Sequence, residues 1–346
     1  MHTLKNLTAY FKRHPGYIVH LICDLFKLFW YKCTGRKILV ITTGSGGIGD
    51  YLWIRSYYPL IHQKGYKIIL IAMSHWSEIV ESFDKKNVDI IRYFESCLSP
   101  KKIESLLFKL FKFDVFLNFR KNCMADIVRN KKEYNDTDIL SDLFYEERNN
   151  KTFCKFTHLP KDFCHYLPII EPKNKTNNFV ILVEKGNTQG RLSDRQLSYI
   201  INYLVSKSYN ILYNGDYDHI ISTLSHNVQS KIIDGREYSF PQYTWLVSNA
   251  LFIVTVNTAL YHFAVQLNRP CVVISNNEYH TLNLYHDNQA YVFNTSLQNC
   301  YEAKQLATYK ADPQSFIKNI EPERIVKGIQ QIESILNSNN QTINNI

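Results

Sequence analysis

From residue 37 onward, short apolar runs rich in β-branched residues alternate with longer segments of mixed polarity. Strands are expected at "KILVITT" (37–43), "YKIILIAM" (66–73), "VDIIRY" (88–93) and "FDVFLNF" (113–119), with intervals long enough for crossover helices. That order describes a parallel α/β domain. Between about 124 and 178 the pattern breaks into polar, acidic and Pro-containing sequence, and "EPKNKTNN" (171–178) reads as an interdomain linker. A second alternation then begins with "FVILVE" (179–184), a helix from about Ser193 to Lys207, "YNILYNG" (209–215), "SKIIDG" (230–235), "ALFIVTV" (250–256), a helix from about Thr258, and "PCVVIS" (270–275). Near the end, Ile325, Ile329, Ile332 and Leu336 share one face of an expected helix, and the polar "NSNNQTINNI" after it reads as a disordered tail. The expected organisation is an N-terminal extension (1–36), two α/β domains (37–170 and 171–313), a C-terminal helical segment (314–337) and a tail (338–346).

The extension contains "YIVHLICDLFKLFWY" (17–31), apolar and aromatic but interrupted by Asp24 and Lys27. It is too short to cross about 30 Å of hydrocarbon. Lys5, Lys12, Arg13, Lys27, Lys32, Arg36 and Lys37 surround it. Two readings stand: a basic amphipathic helix lying on an anionic membrane surface, peripheral to a cytoplasmic protein, or a helix packed on the protein's own core. A signal peptide fits poorly, because the basic stretch is long and no small-residue cleavage site follows.

A length of 346 residues suits two domains, and 45% hydrophobic with 21% charged residues is ordinary for a globular chain. The net charge of +9 admits an anionic partner, yet Lys, Asn, Ile and Tyr are abundant throughout and no nucleic-acid-binding module is recognisable. Eight scattered cysteines with no C-x-x-C pair favour reduced thiols and a cytoplasmic setting. Cys154, His158, Cys164 and His165 cluster in sequence, but their spacing matches no familiar zinc site.

Directly after the first strand, "GSGGIGD" (44–50) satisfies G-x-G-x-x-G in a strand-to-helix context, which raises an NAD-dependent oxidoreductase as one class. A dinucleotide site needs an acidic residue about 20 positions further on for the ribose. Between Tyr51 and Ser77 there is no Asp or Glu; the first carboxylate is Glu78. Asp50 also stands where a pyrophosphate would need the helix amides, and one anion competes with the other. The loop is built to present a carboxylate, either as a helix cap or as a reacting group.

The second half supplies an anion site. In "ALFIVTVNTALYHFAVQLNRPCVVI" (250–274) a strand leads to Asn257, Thr258 and Ala259 at a helix start, with His262 one turn in. Backbone N–H groups, a hydroxyl and a small residue there suit a phosphate. Alone, His262 is as readily a packing residue.

These motifs together resemble the bacterial heptosyltransferases of glycosyltransferase family 9. The resemblance runs over roughly residues 37–335 and is carried by "GIGDYLWIRSYYPLI" (47–61), by "NTALYHFAVQLNRP" (257–270) against the family's D-T-x-x-x-H-x-A with a following Pro, and by the approach "IIDGREYSFPQYTWLVSNALFIVTVNT" (232–258). Three positions depart from the family: Asn257 stands for Asp, Ala259 for Gly, and "QGRLSD" (189–194) replaces K-x-W-P, leaving Arg191 to substitute for the lysine.

The resemblance implies a GT-B architecture, two Rossmann-like parallel-sheet domains facing a central cleft, with acceptor on the N-terminal half and nucleotide-sugar on the C-terminal half. It implies an inverting transfer that needs neither metal nor cofactor, from ADP-heptose or a similar donor to a glycan or glycolipid acceptor such as the lipopolysaccharide core, in the cytoplasm or at the inner membrane surface. Asp50 is then the expected base. Arg191, Asp216 or Asp218, Asn257, Thr258, Ala259 and His262 are expected at the donor, and Gly49, Arg55, Arg120 and Lys121 at the acceptor. A catalytically inert glycan-binding relative is the alternative that Asn257 permits.

Overall fold

The computed structural model describes residues 15–43, 48–55, 58–63, 65–94, 115–119, 124–128, 147–148, 151–155, 167–186, 190–275, 289–293 and 317–344. The chain divides into two compact units, residues 1–46 with 57–156, and residues 47–56 with 157–346.

In the first unit, helix α1 (Pro15–Cys33) precedes strand β1 (Lys37–Thr43). Helix α2 (Ile48–Arg55) belongs to the second unit, after which α3 (Tyr58–Gln63), β2 (Tyr66–Met73), α4 (Ser77–Asp84), β3 (Ile90–Phe94) and β4 (Val115–Phe119) follow in the first. Three further strands, β5 (Met124–Val128), β6 (Glu147–Arg148) and β7 (Lys151–Lys155), complete a sheet of order β3-β2-β1-β4-β5-β7-β6. The strands from β3 to β4 are parallel, as expected, with Leu39 and Val40 of β1 beside Ile68 and Ile69 of β2. The remaining pairings are antiparallel, which corrects the expectation of a wholly parallel sheet and adds strands where the sequence pattern breaks. Antiparallel strands need no crossover helix and tolerate polar residues on one face, so "MADIV" and "KTFCK" carry a weak apolar signal.

Helix α1 packs through one face. Leu28 joins Ile38, Val40, Ile69, Ile71 and Ile90 in the core, with Tyr31 against them. On the same side Asp24 pairs with Arg92, and the Lys67 ammonium lies 5.4 Å from the Tyr31 ring while bonding Asp89 at 2.8 Å. The other side of the helix is apolar and bare: Phe26, Phe29 and Trp30 are 72%, 69% and 65% exposed. One face of the helix is thus packed on the core of the first unit, and the other is exposed.

The second unit begins its sheet with β8 (Phe179–Val183), whose residues are all buried, and a short hairpin of β9 (Lys185–Gly186) with β10 (Gly190–Arg191). Then come α5 (Asp194–Ser206), β11 (Asn210–Asn214), α6 (Tyr217–Thr223), α7 (His226–Gln229), β12 (Ile232–Asp234), α8 (Tyr243–Asn249), β13 (Ile253–Val256), α9 (Ala259–Gln266), β14 (Cys271–Ser275), β15 (Gln289–Phe293) and α10 (Pro322–Asn344). The sheet is wholly parallel, in the order β12-β11-β8-β13-β14-β15.

Helix α5 starts with a capping box, Ser193 with Gln196, and the same Gln196 amide donates to the carbonyls of Ile317 and Ile320 at 2.9 and 2.6 Å. Leu197, Ile200 and Leu204 of α5 and Ile325, Ile329 and Ile332 of α10 enter one core with Val180 and Leu182 of β8. Glu333 of α10 accepts from the Tyr203 and Tyr209 hydroxyls at 2.7 and 3.1 Å; burial, reinforced by that carboxylate, pushes both phenols up to about 12. The disordered tail expected from residue 338 gives way to helix as far as Asn344. A helix already nucleated by buried isoleucines extends cheaply, and Ser338 bonds back to the Ser334 carbonyl at 2.9 Å.

Candidate functional site

In the second unit the chain moves outward from β8 through β11 to β12, then returns to the other side of β8 and proceeds through β13 to β15. The order reverses between β8 and β13. In open parallel sheets, ligands bind outside the carboxyl ends of the strands at such a reversal. Here those ends carry Glu184, Lys185 and Gly186 after β8, and Asn257 and Thr258 after β13. The two are in contact: a Cβ on Gly186 would stand 3.1 Å from the Asn257 carbonyl oxygen and 3.1 Å from the Thr258 methyl.

Thr258 is the N-cap of α9, its hydroxyl accepting from the Leu260 amide at 3.2 Å and lying 3.0 Å from the Thr255 hydroxyl. The Asn257 amide is spent on the Ile274 carbonyl at 2.9 Å, which ties the strand end to β14. The first turn of α9, beginning at Ala259, opens beside the reversal with the positive end of the helix dipole. His262 stands one turn in.

Against that turn lies α2. A Cβ on Gly49 would fall 2.5 Å from His262 Cδ2 and 2.7 Å from Nε2, closer than any side chain allows, so the His262 ring occupies the space that glycine leaves. Tyr51, Leu52 and Arg55 are buried on α2, and the Gln266 amide of α9 donates to the Leu52 carbonyl. The two motifs singled out from the sequence, some two hundred residues apart, therefore meet in one compact unit. Asp50 is the third residue of α2, one position past the glycine in contact with His262. Arg55 is 2% exposed. Arg120 and Lys121 lie outside the described residues.

Arg191 ends the β9–β10 hairpin and pairs through Nε with Glu184. Sequence reasoning passed over Glu184; its only signal is a carboxylate closing the apolar run "FVILVE". The side chain is almost fully buried, and beyond Arg191 it accepts from the Tyr213 hydroxyl and from the Asp216 amide, the latter at 2.9 Å. Burial and the adjoining carboxylate raise the Tyr213 phenol well above its ordinary value, keeping it a donor. Asp216 is exposed and caps α6, accepting from the His219 amide at 3.3 Å. Asp218 pairs with Arg236, which Asp234 also holds, and this hydrogen bonding lowers both aspartates below the usual carboxylate range.

No family model matches the sequence, and neither does any curated protein. Solved structures do match. ADP-heptose lipopolysaccharide heptosyltransferase II of E. coli aligns at TM-score 0.51 and 14% identity, covering 86% of this chain and 98% of that one. A glycosyl transferase family 9 protein from Veillonella parvula aligns at TM-score 0.54 and 10% identity, covering 86% and 97%. The chain has the GT-B-type fold of these glycosyltransferases.

The reversal between β8 and β13 is the place at which an open parallel sheet of this kind receives a ligand. Among the described residues no three His, Cys, Asp or Glu side chains converge on a metal position. Of the cysteine–histidine cluster considered from the sequence, His158, Cys164 and His165 lie outside the described residues, as does the side chain of Cys154. No helix among the described residues is long and apolar enough to cross a membrane.

Proposed function

We propose that this chain is an inverting, metal-independent glycosyltransferase that moves a heptose-like sugar from a nucleoside diphosphate donor, ADP-heptose or a close analogue, to a glycolipid of the lipopolysaccharide core type. The observation that carries the reading is the packing of Gly49 on His262, which brings the Asp50 backbone to the first turn of α9. A base and an anion site side by side are what single-displacement glycosyl transfer requires.

In this reading Asp50 takes the proton of the acceptor hydroxyl as its oxygen attacks the anomeric carbon, and the nucleoside diphosphate departs from the opposite face with inversion. The charge that develops on the leaving diphosphate meets the amino end of α9, His262 and the Arg191 guanidinium, which together take the part a divalent cation plays elsewhere. Asn257 hydrogen-bonds the sugar, Ala259 leaves room for the phosphates, and Asp216 accepts from a ribose hydroxyl. The acceptor side rests on Gly49 and on Arg120 and Lys121; the burial of Arg55 gives it a structural part in α2.

The same reading assigns α1 to the membrane that holds a glycolipid acceptor. Its bare face of Phe26, Phe29 and Trp30 is bordered by exposed Lys27 and Lys32, the charge pattern that suits an anionic surface.

The test is to incubate the protein with a truncated core glycolipid and ADP-, GDP- or UDP-sugars and to weigh the acceptor. A gain of one glycosyl residue from an ADP-sugar, undiminished by EDTA, is expected. Donor binding without any mass gain would instead favour the inert glycan-binding relative, and bound nicotinamide absorbance would revive the oxidoreductase.

A further inference from the structure

We propose that Glu184 is a positioning residue of the donor site, holding Arg191 so that its terminal nitrogens meet the diphosphate; this rests on the donor-site reading above. A carboxylate buried at the end of a sheet strand is costly unless each oxygen is met, and apolar replacements of buried ion pairs are often no less stable. Stability alone therefore does not call for it. Glu184 is met three times over: Oε1 by Arg191 Nε, Oε2 by the Tyr213 hydroxyl and by the Asp216 amide at 2.9 Å. The space is shaped around it as well, since a Cβ on Gly215 would fall within 2.1 Å of Oε2.

The backbone repeats the arrangement. The Leu192 amide donates to the Glu184 carbonyl at 3.0 Å, so residue 184 holds the Arg191 side chain and the backbone of the residue that follows it. Its hairpin partner strand carries Gly186, which touches Asn257 at the sheet reversal. With Nε committed to the carboxylate, the two terminal nitrogens remain, and Nη2 is buried without a hydrogen-bond partner among the described residues. A guanidinium anchored on one edge with an unmet donor beside a nucleotide seat is preorganised for phosphate oxygens.

The experiment is a double-mutant cycle on the full chain, read as ADP affinity by calorimetry, with GDP and UDP in parallel. Glu184→Gln should weaken binding about tenfold when Arg191 is present and by less than about twofold in the Arg191→Ala background, the non-additivity expected of residues acting as one unit. Glu184→Asp, which keeps the charge one methylene further back, should recover part of the loss, and it carries the same comparison should Glu184→Gln fail to fold. A purely structural Glu184 gives equal losses in both backgrounds and no recovery by Asp, which overturns the inference while leaving the donor site standing. Failure of the wild-type chain to bind any of the three diphosphates overturns the donor-site reading, and this inference with it.

Discussion

Gly49 and His262 show how a single atom can decide between readings. The glycine pattern around residue 44 spells a dinucleotide loop, yet what Gly49 accommodates is a histidine ring from α9, not a pyrophosphate. Gly49→Ala should therefore destabilise the second unit by about 1–3 kcal/mol, the usual cost of overpacking, and His262→Ala should relieve most of it in the double variant. Urea denaturation of the three variants measures this; an Ala at 49 tolerated without loss would mean that the ring moves freely aside. His262→Ala should also lower turnover by about 10²-fold or more, if it stabilises the leaving diphosphate as proposed. Thr258→Ala is a sharper probe, because its hydroxyl caps α9. About 1 kcal/mol of stability should go with the cap, and a loss of donor affinity beyond that would mark a role at the ligand. That Asp50, Asn257, Thr258 and His262 lie at or within the first turn of a helix was legible, because an apolar run ends shortly before each. Glu184 was not, because its Tyr213 partner is 29 residues away and only the sheet brings them together.

At the scale of elements, continuous apolar runs were read almost to the residue: "YKIILIAM" is β2 and "KILVITT" is β1 as expected. The strands that escaped, β5 to β7, β9, β10 and β15, are short and mixed in polarity. Their identity lies in pairing with neighbours rather than in their own pattern. Helix α1 was read ambiguously for a physical reason, since its periodicity serves two apolar faces, one seated on Ile38 and Ile69 through Leu28 and one turned outward. Phe26→Glu with Phe29→Glu should abolish sedimentation with vesicles containing anionic lipid while leaving the melting temperature nearly unchanged, and wild-type binding should fall as salt rises. Binding that is indifferent to both changes would remove α1 from the membrane.

At the scale of the molecule, two alternations of strand and helix foretold two α/β units, but their boundaries follow contacts that a linear reading lacks. The chain passes from β1 into α2, and α2 packs on α9, so residues 47–56 group with the second unit. This grouping is what puts Gly49, the neighbour of Asp50, against His262. The proposal that protein dipoles and side chains alone stabilise the leaving group predicts transfer at full rate in excess EDTA. A rate that collapses and returns with Mg²⁺ would refute that part of the mechanism.

The most direct measurement is the initial rate of sugar transfer by Asp50→Asn at saturating donor, beside the donor affinity and melting temperature of the same sample. The amide is nearly isosteric with the carboxylate in the first turn of α2, so fold and affinity should persist. If Asp50 is the base, turnover drops by about 10²–10⁴ while the other two quantities hold. Near-normal turnover with a slightly lowered melting temperature would leave Asp50 only a carboxylate favourable to the first turn of α2 and would contradict the account.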